Sequence, residues 1–126
     1  MKGLIFVFLF APISALFFPN MDMISKAIKD GDATALSTYF DSDVEIAILN
    51  EVDIYSKTEA KKVLKTFFTK HHPVSYSQVH QGTSKGQGGQ YCIGNMKSAK
   101  GKFRVYVYVK KSGSAFVIQE LRFEKQ

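Results

Sequence analysis

Tyr91, Arg104, Tyr106, Tyr108 and Lys110 are the residues of this chain whose types and spacing hold the most chemistry. Their period-two spacing on neighbouring antiparallel strands would set rings and cations on one sheet face. Such a patch can grip an anionic or ring-bearing small molecule. It can equally pack on a second subunit, because Tyr and Arg are enriched at the centres of interfaces. The other constellations are weaker. His71-His72 adjoins Pro73 with no Cys or Glu at ligand spacing, and adjacent histidines do not readily face one metal. They read as helix-end residues favoured by the helix dipole, with His80 able to join them only through a tertiary contact. The run Gly82 to Gly89 has the glycines of a phosphate loop but not its Gly-Lys-Ser/Thr ending, and it reads as a hairpin loop. No nucleophile sits in a recognisable elbow. Neither a metal nor a cofactor is expected.

The segment before these elements has a different character. Residues 3 to 18 are apolar apart from Ser14 and follow the single charge of Lys2. A basic tip, an apolar stretch and small residues near its end make a secretory signal. A membrane-spanning helix needs about 20 apolar residues, and this run is shorter and interrupted by Pro12. The expected organisation is a signal peptide over residues 1–19, cut between 15 and 20 with Ala15 the best match, and one domain over residues 20–126. The expected location is periplasmic or extracellular, with membrane attachment only if the leader stays uncut. Cys92 is a lone cysteine, read as a small buried hydrophobe that forms no intramolecular disulfide.

Charge divides the chain. Residues 20–55 carry two lysines against eight acids, and residues 56–126 carry fourteen basic residues against three acids. This asymmetry suits solvated lysines on a helix and strand ends, an anionic partner, or complementary faces that meet in an oligomer. Export argues against nucleic acid as the partner.

Asn20 can cap a helix through Met21, Ile24, Ala27 and Ile28, and Gly31 can stop it. Asp32 opens a shorter helix with Ala33, Leu36 and Phe40 on one face. Asp41-Ser42-Asp43 reads as a turn, Val44 to Ile48 as a strand, and Val52 to Tyr55 as a second strand after an Asn50-Glu51 link. Ser56-Lys57-Thr58-Glu59 is a capping box ahead of Ala60, Val63, Leu64, Phe67 and Phe68, an amphipathic helix ended by Pro73. Four strands follow at Val74–Gln81, Gln90–Lys97, Phe103–Lys110 and Ala115–Glu124, an antiparallel meander. In the last strand strict alternation sets Ala115, Val117, Leu121 and Phe123 opposite Phe116, Ile118, Glu120 and Arg122. Both faces of the meander carry large apolar groups, so the face away from the helices needs its own cover, from sheet curvature or a second subunit.

This α+β order resembles the NTF2-like (cystatin-like) superfamily, in which a bent sheet wraps a long helix into a cone. Ala27 to Phe40 looks like its opening "A…GD…L…F", and Asp43-Val44-Glu45-Ile46 like its first strand. More narrowly, the leader, Tyr55-Ser56-Lys57, Phe67-Phe68, Gly94 and Ile118-Gln119-Glu120-Leu121-Arg122 resemble the DUF4783 family. Its members are small exported proteins, mostly of Bacteroidetes, with no assigned function. Enzymes of the superfamily, such as ketosteroid isomerase, place a carboxylate base on the first strand and an acidic or phenolic donor deeper in the cone. The resemblance puts the base position on Ile46, with Glu45 beside it and facing the other way, and the donor within Val105 to Val107, where no acid stands. Glu45 is thus a weak catalytic candidate, reaching the cone only by a one-residue slip. The expectation is a non-enzymatic binding or interaction domain, homodimeric through the open sheet face. Its alternatives are a carrier of a small apolar or anionic ligand in the cone, and an isomerase or dehydratase.

Overall fold

The computed structural model describes residues 21–84 and 88–126, so the leader and Asn20 lie outside the described residues. Three helices, α1 (Met21–Asp30), α2 (Ala33–Ser37) and α3 (Lys57–Lys70), lie on one face of a six-stranded, curved, unclosed sheet. Its strands are β1 (Phe40–Ile48), β2 (Glu51–Ser56), β3 (Pro73–Ser84), β4 (Gly89–Ser98), β5 (Gly101–Ser112) and β6 (Ala115–Lys125). The spatial order is β2-β1-β6-β5-β4-β3, antiparallel throughout except that β1 runs parallel to β6. This is the α+β architecture expected from the sequence.

Local chemistry sets the corners. Gly31 takes φ 65° after α1, and two backbone bonds close the turn there, Gly31 N–H to the Ile28 carbonyl and Asp32 N–H to the Ala27 carbonyl. That pair is the Schellman stop, which needs a left-handed residue at this position. Asp32 then caps α2 by accepting from the Ala35 amide at 3.0 Å. Ser56 caps α3, accepting from Glu59 N–H at 3.2 Å, while its own hydroxyl donates to the Glu59 carboxylate at 3.3 Å. α3 turns Ala60, Leu64, Phe67 and Phe68 into the core. The ring of Phe67 meets Phe123 at 4.5 Å and Phe103 at 5.4 Å between centroids. Each such ring removed from water contributes roughly 1.5–3 kcal/mol.

Strand parity differs from the simple reading in two places. β5 sends Phe103, Val105, Val107 and Val109 inward, as expected. In β6, however, Ile118 is fully buried together with Leu121 and Phe123. The register with β5 slips between Tyr108–Glu120 and Val109–Ile118, so Gln119 is an extra residue that reverses the alternation. Its amide donates to Asp41 at 3.0 Å. On that partner strand, Asp41-Ser42-Asp43 is not the free turn its composition suggested. These residues stay within β1, where the pairing with β6 shifts register between Phe40 and Glu45. The β1–β2 turn is Leu49-Asn50, one residue earlier than expected. Cys92 is fully buried, as read from the sequence.

Gly31 carries a second constraint. A Cβ there would stand 2.8 Å from Pro73 Cδ, where the α1–α2 corner packs on the start of β3. Gly113 has nearly the same φ, 64°, but open space around it. Gly31→Ala is expected to cost about 2 kcal/mol and lower Tm by about 10 °C, and Gly113→Ala about half as much. Thermal denaturation of the two variants checks this, and equal losses would show that the Pro73 contact is harmless.

Candidate functional site

Cross-strand register lays out the sheet face turned away from the helices. One row runs Ile54, Glu45, Glu120, Tyr108, Tyr91 and Gly82 across β2, β1, β6, β5, β4 and β3. The next runs Val52, Ala47, Arg122, Tyr106, Ile93 and His80. Arg104 opposes Glu124 and Asn95 in a third row, and Lys110 opposes Gly89 at the far rim. The residues singled out by composition therefore do share one face. Tyr91 and Tyr106 stack at 6.0 Å with an interplanar angle of 23°, and His80 Nε2 shares a 3.1 Å hydrogen bond with the Tyr91 hydroxyl. Burial raises the pKa of Tyr106, with Glu120 adding to the effect.

Tyr108 differs from the rest of the group in being buried, 8% exposed. It lies down across Gly89, where a Cβ would come within 2.3 Å of its hydroxyl. Tyr91 covers Gly82 in the same way, and on the inner face Tyr76 covers Gly94. Bare glycines are what let these rings lie flat on the strands. The buried Tyr76 hydroxyl sits against Cys92, and burial pushes that thiol up to about 11, so it stays protonated.

Arg122 organises the centre of the outer face. Its Nε donates to Glu120 at 2.5 Å and its Nη2 to Glu45 at 3.2 Å. Glu45 and Glu120 oppose each other directly on the parallel strands, and the guanidinium between them removes a like-charge clash. A shallow hollow of about 380 Å³ lies here against Ile93, Arg104 and Tyr106. Glu45 thus faces outward and Ile46 inward, 1% exposed, so the one-residue slip does not occur. Val105 and Val107 fill the inner donor position, fully buried. Ser37 is the one buried polar residue among those described, and no cluster of metal-ligating side chains occurs among them.

A second concavity, about 620 Å³, opens between the β1–β2 hairpin and α3. Ile46, Ile48, Tyr55, Val63 and Phe67 form its apolar wall, and Lys70, His71 and Glu51 stand among its polar groups. Leu49 lines it from the hairpin turn with φ 59°, the one non-glycine residue of positive φ among those described. A left-handed leucine costs about 1–2 kcal/mol. Its amide is tied to the Phe123 carbonyl at 2.9 Å. His71 is the C-cap of α3, as its helix-end reading implied, and its ring packs on Phe67 and Phe103. Its Nδ1 is buried without a hydrogen-bond partner.

The family model for a domain of unknown function, DUF4783, matches residues 21–124. The chain belongs to the DUF4783 family. A crystal structure of a DUF4783 protein from Bacteroides uniformis ATCC 8492 is 27% identical, with a TM-score of 0.79 over 84% of this chain and 96% of that one. One from Bacteroides ovatus ATCC 8483 is 26% identical, with a TM-score of 0.78 over 82% and 93%. An NTF2-like protein of unknown function from Silicibacter pomeroyi DSS-3 is 12% identical, with a TM-score of 0.63 over 92% and 98%, and it shows the fold alone. No curated protein matches the sequence. This DUF4783 chain therefore has the NTF2-like fold its sequence resembled. The hairpin–helix cleft was the part that composition did not reveal. Its one sequence signal was a leucine standing in a two-residue hairpin turn, where Asn, Asp or Gly is usual.

His71 gives the cleft a pH signature. Burial, then Lys100, Lys125 and Lys70, lower its pKa below the ordinary 6.5. The unfolded chain thus takes up this proton more readily, and the stability contributed is complete above about 6.5 and lost as pH falls toward the depressed value. Tm should drop between about pH 7.5 and about pH 5, and His71→Leu should flatten part of that drop. Melting curves across this range check it; an unchanged slope in the variant would remove His71 from the account.

Proposed function

We propose that this chain is an exported, non-enzymatic interaction domain that docks a second copy of itself through the outer sheet face. One observation carries the reading. Val52 and Ile54 stand 56% and 65% exposed on the β2 flank of a face whose other flank is Ile93, Tyr91 and Tyr106. A two-fold axis through the Arg122 region lays the aliphatic flank of each copy on the aromatic flank of the other. At the centre of the face the carboxylates of Glu45, Glu120 and Glu124 offset Arg104 and Arg122, while Lys97, Lys102 and Lys110 stand toward its ends, so identical copies meet at the centre without net repulsion. The same balance offers no continuous positive track to a nucleic-acid backbone. Isomerase chemistry draws no support from Ile46 at the base position or from two buried valines at the donor. Ligand carriage, the second reading, draws support from the hairpin–helix cleft.

Light scattering on the chain from Asn20 onward should give a dimer mass at micromolar concentration. Ile54→Lys, a change on an exposed edge strand, should shift it to monomer with a dissociation constant at least about 30-fold weaker, since it buries an unpaired charge. A wild-type monomer under these conditions would contradict the proposal. Export rests on the leader of residues 1–19. N-terminal sequencing of protein from its own host should read a start between 16 and 20; a start at Met1 in the membrane fraction would mean an uncut tether.

A further inference from the structure

The geometry points to the cleft between the β1–β2 hairpin and α3 as a binding site for an amphiphile with an apolar body and a carboxylate head. Its size, about 620 Å³, lies within the range of small-molecule sites, about 300–1,000 Å³. Ile46, Ile48, Val63, Phe67 and the ring of Tyr55 offer an apolar bed without a buried charge. The polar groups gather at the C-terminal end of α3. Lys70 lines the cleft there, and Lys100 and Lys125 stand close enough to depress His71 electrostatically. Lys125 also borders an adjoining hollow that shares Leu49 and Asn50 with the cleft. The nearby acids are Glu51 in the cleft, Asp53 opposite Ile46 farther along β2, and Glu124 in the hollow, so at the C-terminal end of α3 the three lysines outnumber Glu51 and Glu124.

That charge sign selects an anionic head. The helix dipole alone would not draw an anion here, because a helix C-terminus attracts cations; the lysines must reverse it. His71 adds a hydrogen-bonding group that is not committed. No hydrogen bond holds its imidazole, whose Nδ1 is orphaned against the Phe67 and Phe103 rings. Turning the ring toward the cleft breaks no bond and lets it donate to a carboxylate oxygen. The strained turn at Leu49 lies on the lip above, 43% exposed, with its side chain available to close over an apolar chain. Backbone strain held at the edge of a concavity fits a binding role better than a purely structural one.

This site is separate from the outer sheet face, and its test does not depend on self-association. Decanoate, decanol and decyltrimethylammonium are titrated into the chain from Asn20 onward, below their micelle concentrations, by calorimetry. Decanoate should bind at least about tenfold more tightly than decanol, and the cationic amphiphile more weakly still. Lys70→Gln should weaken decanoate by about tenfold and leave decanol unchanged. Thr66→Trp, a change at an exposed position lining the cleft, should abolish both, with an unaltered melting curve showing that the fold survives. Alkyl sulfate of equal length separates carboxylate recognition from charge alone: equal affinity would leave the anion and remove the carboxylate from the assignment. No binding of decanoate, equal binding of all three heads, or binding indifferent to Thr66→Trp would each overturn the proposal. Light scattering on the same variants keeps its failure distinct from failure of the dimer.

Discussion

The parallel pairing of β1 with β6 holds the fold together. It joins the helix-rich, acidic part of the chain to the basic meander across more than seventy residues of sequence. Closing so long a loop is not prohibitive, because each doubling of length adds only about 0.6 kcal/mol of entropy cost. What the pairing needs is contacts along its whole length, and it has them. Ile118 N–H reaches the Tyr39 carbonyl at 2.6 Å, Gln119 reaches Asp41, Arg122 reaches Glu45, and Leu49 N–H reaches the Phe123 carbonyl. The acidic and basic parts of the chain thus meet inside one molecule, through Glu45 and Arg122. Complementary charge across an oligomer was one meaning of the asymmetry; here part of it is spent within the sheet.

The bulge at Gln119 decides what each face can do. Ile118 lies N-terminal to it and enters the core, while Glu120 and Arg122 lie C-terminal to it and project outward beside Glu45. Without the extra residue, either Ile118 or the pair Leu121 and Phe123 would leave the core, and the register principle makes that choice all or none. The interior is then closed by aromatic packing of Phe67, Phe103 and Phe123, and no charged side chain is buried among the described residues. Open chemistry is left to two places, the outer face and the gap beneath the short edge hairpin.

Much of this was legible in the sequence, for identifiable reasons. The capping box at Ser56 and the offsets of Ala60, Leu64, Phe67 and Phe68 are local signals, and local signals survive into the structure. The alternation of β5 is equally direct, and it placed Arg104, Tyr106, Tyr108 and Lys110 on one face. What failed depended on contacts distant in sequence. Strict alternation misplaces Ile118 because a bulge is an agreement between two strands, not a property of one. Asp41 to Asp43 have the composition of a turn, yet β6 holds them in β1. Tyr108 counts as an exposed ring by alternation, and only its pairing across β4 shows that Gly89 lets it lie down. The cleft was hidden for the same reason: its walls come from β1, β2 and α3, and none of them has an unusual pattern alone.

β2 is the element common to both open places. Tyr55 and Glu51 face α3 across the cleft, while Val52 and Ile54, alternating with them, face the outer side. It pairs with β1 alone and ends the sheet, so its position is the least constrained of the strands on this side. Any outward tilt of the hairpin that widens the cleft must also rotate Val52 and Ile54 away from the plane of the outer face. A ligand that favours one hairpin position and a second subunit that favours the other would oppose each other, and by linkage the opposition would be equal in both directions. A hairpin fixed by its Leu49 bond to β6 would instead leave the two independent. The ordinary 2.9 Å amide-to-carbonyl bond at that strained turn is therefore the contact on which any coupling between the proposed dimer face and the proposed ligand cleft would turn.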